Sequence, residues 1–128
     1  MSNIISGNAT VAKSEWLVMS NQGTDTFFDL LICAAETLKQ TEHQKELISF
    51  LEGQKEINDI APGNAGFDLT EMPWHDCTLR DDVQFLLKVI EIAESENTFE
   101  KLSYEANRSI LIPWLNQFAD MLRQFDQV

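Results

Sequence analysis

The chain has 128 residues, a length at which folding hides roughly two-thirds of the unfolded surface, so one domain with a real core is expected. Apolar residues make up 44% and charged residues 23%, ordinary values for a globular protein that exclude a disordered tail. With 21 acidic against 9 basic residues the net charge is −12, and this negative field repels phosphates and anionic headgroups, which argues against nucleic acid and membrane surfaces as ligands.

The first residues, MSNIISGNATVAKS, carry no basic segment followed by a long apolar one. No window approaches the roughly 18 apolar residues of a membrane span. A cytoplasmic location is expected, with residues 1–13 as a flexible N-terminal segment. The next stretch, EWLVMS, is too short for periodicity to separate strand from helix, and it is read as a short helix. In TDTFFDLLICAAETLKQ, Phe27, Leu31, Ala34, Ala35 and Leu38 recur at helical spacing, and Thr24 or Asp25 is available as N-cap. Phe28, Leu30 and Ile32 widen the apolar surface around this helix, which marks it as the central element of the core.

A second helix follows in TEHQKELISFLEGQKEI, where Thr41 and Gln44 stand in capping-box register and Leu47, Ile48 and Leu51 supply the stripe. Gly53 weakens its last turns, and APGNAG at residues 61–66 breaks it. The clearest helix carries Leu79, Val83, Leu86, Leu87, Ile90 and Ala93 on one face. Thr78 can cap it, and Asp81 and Asp82 meet the positive end of its dipole, each worth a few tenths to about 1 kcal/mol. From Thr98 onward Leu111, Trp114, Phe118, Met121, Leu122 and Phe125 share a face, and Pro113 predicts two helical pieces. The sum is an all-α fold, a single helical domain over residues 1–128 with about five helices. A small α+β fold is the alternative.

The stretch EMPWHDCTLRDD, residues 71–82, gathers the residue types of several chemistries. Zinc needs three or four ligands, but His75 and Cys77 could be joined only by His43 and Cys33 through tertiary folding, so no metal site is expected. Cys77 with His75 as base is disfavoured because Asp76, Asp81 and Asp82 oppose a thiolate. Glycine-rich phosphate loops and a distinguishable glycosidase carboxylate pair are absent from the sequence. Neither catalytic residues, cofactors nor an enzymatic activity are expected. The stretch reads first as a helix entry, with Pro73 holding Met72 extended, Trp74 anchoring and the aspartates meeting the dipole.

What this reading leaves over is acid. Asp68, Glu71, Asp76, Asp81 and Asp82 surround Trp74 against a single Arg80, and Glu91, Glu94, Glu96, Glu100 and Glu105 follow against a single Lys101. Most such runs are solvated helix faces. Carboxylates around an aromatic also suit a lysine- or arginine-rich protein, since complementary charge speeds encounter and the aromatic supplies binding energy. The candidate partner-binding residues are therefore Asp68, Glu71, Trp74, Asp76, Asp81, Asp82, Glu91, Glu94 and Glu96, and the expected partner is a basic protein.

This combination of small size, strong acidity, helical patterning and missing catalytic constellation resembles the immunity proteins that protect bacteria from their own secreted toxins. The resemblance implies a cytosolic inhibitor that binds a toxin domain, often a basic nuclease, and covers its active site with negative charge. The alternative is a helical interaction or assembly domain without catalytic activity, forming a homodimer or hetero-oligomer through an apolar face around Trp114 and Phe118.

Overall fold

The computed structural model describes residues 3–6, 17–75 and 79–126, and among them five α-helices carry a small three-stranded sheet. The fold is mostly helical with a sheet, which corrects the all-α expectation in favour of the α+β alternative.

Strand β1 (Asn3–Ser6) lies in the middle of the sheet, antiparallel to β2 (Leu17–Met19) and parallel to β3 (Gly66–Asp68). Two expectations fall here. Residues 3–6 of the segment read as flexible form the central strand, and Leu17–Met19 is a strand rather than a short helix. The physical reason is cross-strand burial. Ile5 pairs with Leu17 on one side and Phe67 on the other, and all three are buried beneath the sheet. Asn3, also inward, donates through Nδ2 to Thr24 Oγ1 at 2.7 Å and to Asn58 Oδ1 at 2.9 Å, a buried polar link from the sheet to two helices.

Helix α1 (Asn21–Glu36) begins a turn before its apolar pattern does. Its N-cap is Ser20, whose Oγ accepts the Gly23 N–H at 3.1 Å, and not Thr24 or Asp25. Helix α2 (Glu42–Ile60) starts as expected: the Gln44 N–H donates to Thr41 Oγ1 at 3.1 Å and the Thr41 N–H to Gln44 Oε1 at 2.9 Å. It runs straight through Gly53 to the break at Pro62. Helix α3 (Leu79–Ala93) buries Val83, Leu86, Val89, Ile90 and Ala93, with Asp81 and Asp82 in its first turn, while its expected cap Thr78 lies outside the described residues.

The tail forms two pieces, α4 (Glu96–Leu102) and α5 (Arg108–Asp126), but they divide at residues 103–107 and not at Pro113. Pro113 sits inside α5; it and Ser109, the residue whose carbonyl loses its helical donor, are both exposed, so water meets the orphaned group. Helix α1 packs against the other four helices, and α3 against α5. At this junction Phe27 meets Phe28 and Phe118 edge-on, with centroids 5.4 and 5.8 Å apart. Phe118 is fully buried and Trp114 half-buried, so the apolar face expected at these two residues is core. No helix among the described residues is long and apolar enough to cross a membrane.

Candidate functional site: an acidic groove and a histidine pair

Three of the nine predicted site residues work inside the fold. Trp74 is half-buried against Phe125, with centroids 5.5 Å apart, and its Nε1–H donates to the Leu69 carbonyl at 2.7 Å. Asp68 accepts from Thr70 N–H at 2.9 Å and from the Ser6 hydroxyl at 3.0 Å, which holds a short 3-10 turn (Leu69–Glu71) against the sheet. Asp82 is buried at 4% exposure, and a desolvated carboxylate that is hydrogen-bonded inside the fold cannot also greet a partner. Asp76 lies outside the described residues. Glu71, Asp81, Glu91 and Glu96 are exposed, and Glu94 is half-buried.

Glu91 and Glu94 line the same groove. It lies between α3 and α5, encloses about 520 Å³, and has Leu87, Ile90 and Ala119 as its apolar lining beside Lys88, Asn116 and Arg123. Burial pushes the Glu94 carboxyl above the ordinary glutamate value; Arg123 opposes this and Glu91 adds to it. Arg123 donates to Asp120 at 2.9 Å, and Lys88 lies 3.8 Å from Glu91 within the groove, so each cation has a carboxylate neighbour. The groove is therefore mainly polar, with a few apolar residues beside a carboxylate whose charge is partly desolvated, a place where an incoming cation gains more than it would on an open helix face.

The second cluster was invisible as a constellation in the sequence. His43, in the first turn of α2, stacks on His75 with centroids 3.5 Å apart and planes 15° from parallel. Asp82 Oδ2 accepts from His43 Nε2 at 2.7 Å and from the His75 backbone N–H at 3.1 Å, and Glu46 Oε2 lies 3.4 Å from His43 Nδ1. Burial works against a charged His43, but the Asp82 and Glu46 contacts outweigh it and raise the His43 pKa. Two of the four residues considered for zinc thus do converge by tertiary folding. Of the others, Cys33 is buried in α1 and Cys77 lies outside the described residues. The one local signal was His43 and Glu46 three apart on a helix, which places both side chains on one face.

A third polar group joins α1 to α2. Burial and a hydrogen bond with Asp59 raise the Asp25 pKa, the same bond lowers that of Asp59, and Asn58 Nδ2 donates to Asp25 Oδ1 at 3.0 Å. Lys55 reaches both Asp29 and Asp59, at 3.5 and 3.4 Å. These contacts tie the two helices together. Comparison with family models, with curated proteins and with solved structures found no match to this chain.

Proposed function

We propose that the chain is a non-catalytic protein-binding domain that takes lysine or arginine side chains of a basic partner into the α3–α5 groove. The observation that supports this is Glu94, a carboxylate held half-buried in the groove, where burial raises the cost of its charge. A partner's long basic side chain suits this site: its methylene stem can lie along the partly exposed Leu87 while its charged head meets Glu94 and Glu91. Exposed Glu96 and the net charge of −12 extend the attraction outward and speed encounter.

The finer form of the proposal is an inhibitor of the immunity-protein kind, acting in the cytoplasm. A toxin domain that handles nucleic acid must present a cationic site, and a carboxylate-lined groove placed over it would exclude the phosphate substrate by occupying the same positive charge. The experiment is affinity capture from the native lysate at low salt, eluted in salt steps. The proposal expects a specific basic protein released at moderate salt, and it is contradicted if nothing basic is retained. Screening weakens exposed pairs once the Debye length falls to about 10 Å near 0.1 M salt.

Self-assembly is the second reading, and it moves to a new place. Ile4 and Val18 are register partners whose side chains point away from the core, at 37% and 50% exposure. A homodimer through this sheet face would persist in high salt and yield to Val18→Lys, as sedimentation would read.

A further inference from the structure

Asp82 does more than join two helices. By accepting from His43 Nε2 at 2.7 Å it fixes the proton of the neutral ring on Nε2 and leaves Nδ1 with the lone pair. That lone pair faces Glu46 Oε2 at 3.4 Å. In the neutral ring two acceptors face each other there, and either a second proton or a metal ion between them makes the approach favourable. A second imidazole is brought to the same place, because Asp82 also holds the His75 backbone N–H at 3.1 Å. One ligand atom from each of His43, Glu46 and His75 lies within 4.8 Å of the other two.

We propose that His43 Nδ1, a Glu46 carboxylate oxygen and a His75 ring nitrogen form a binding site for a divalent transition ion, zinc above all, with a fourth position open to water. Two imidazoles and a carboxylate are a donor set that zinc takes in tetrahedral sites with an open position. Asp82 supplies the outer carboxylate that orients a ligating imidazole through its remote N–H and raises its basicity. The helix-borne pair sits in the first turn of α2, a turn already fixed by the Thr41 and Gln44 capping box. The stacked rings direct their lone pairs side by side and not at one point. Binding therefore draws the exposed His75 ring out of the stack while Asp82 keeps its backbone in place. The bound ion would fasten His75 to α2, beside a shallow depression that Glu46, Phe50 and Glu71 line.

The test is calorimetric titration of the chelator-stripped full chain with zinc chloride near neutral pH in a weakly coordinating buffer. One equivalent is expected, with affinity falling about tenfold or more in His75→Ala and in Glu46→Gln. Both residues are exposed, so neither change opens the core. Cys77→Ser should bind as the parent does, and the ring nitrogen resonances of His43 and His75 should shift with zinc in proportion to occupancy. The absence of saturable binding overturns the proposal. So does binding that survives His75→Ala but is lost in Cys77→Ser, which would assign the ion to the thiol.

Discussion

Asp82 Oδ2 lies 2.7 Å from His43 Nε2 and joins the first turn of α3 to the first turn of α2, across 39 residues of sequence. The same oxygen receives the His75 N–H, so one buried carboxylate serves two donors. Asp82→Ala strands both, and hydrogen bonds to charged groups are worth about 1.5–3 kcal/mol each before relaxation. A loss of roughly that size in unfolding free energy is expected, read as a lower urea midpoint with an unchanged slope. A variant as stable as the parent would show that the link contributes nothing net.

Glu94 gives the pH prediction. Its folded pKa is raised above the ordinary 4.5, so the folded state binds the proton more tightly than the unfolded one and the charged form lowers stability. That penalty is complete above the raised value and fades as pH falls through it towards 4.5. Glu94→Gln should therefore be more stable than the parent at neutral pH, and the gain should vanish below about pH 4, where the glutamate is protonated in both states. Thermal melts across the pH range read the difference. An equal gain at both ends would assign it to packing instead of charge.

Two glycines should respond in opposite directions to alanine. A Cβ on Gly53 meets nothing within 4 Å, so Gly53→Ala is expected to stabilise α2 by about 0.5–1 kcal/mol. At Gly66 φ is +147°, and a Cβ would come within 2.5 Å of the Ile4 carbonyl oxygen on the neighbouring strand. Gly66→Ala must push β3 away from β1, so it should destabilise, and denaturant titration of the pair separates the two effects.

Phe118 tests where the core lies. It is fully buried and meets Phe27 edge-on. Phe118→Ala should cost about 3–5 kcal/mol, the range for deleting a buried aromatic. A loss below about 1 kcal/mol, with an altered oligomeric state, would place Phe118 in an interface instead.

The long elements were legible in the sequence because each repeats a pattern several times. The α3 stripe from Leu79 to Ala93 shows it, as does the Thr41 and Gln44 box that starts α2. The start of α1 was missed because Asn21, Gln22 and Gly23 are polar, and the pattern becomes visible only one turn into the helix. The strands were missed for a different reason. β1 has four residues and β2 and β3 three each, too few for alternation to register, and what selects them is the tertiary pairing of Ile5 with Leu17 and Phe67.

The candidate site divides in the same way. Composition marked the acid, but it could not separate Asp82 and Asp68, which hydrogen-bond inside the fold, from Glu91 and Glu94, which open into a groove. That distinction depends on α5 lying beside α3. Trp74 could be read either as the anchor of the helix entry or as a partner-binding aromatic; its indole N–H donates to the Leu69 carbonyl and its ring packs on Phe125, which favours the first. His43 and His75 meet because Asp82 holds both, a contact with no local signature beyond the His43 and Glu46 spacing.

The measurement that tests the central claim most directly compares two charge reversals with the same net charge. Glu91→Lys with Glu94→Lys alters the groove, while Glu52→Lys with Glu56→Lys makes the same change on the exposed face of α2. Affinity for the basic protein captured from the lysate is then measured at two salt concentrations. The groove account predicts that the first pair lowers affinity by about tenfold or more and flattens its salt dependence, with a much smaller effect from the second. Equal losses from both pairs, or none from the groove pair, would contradict it.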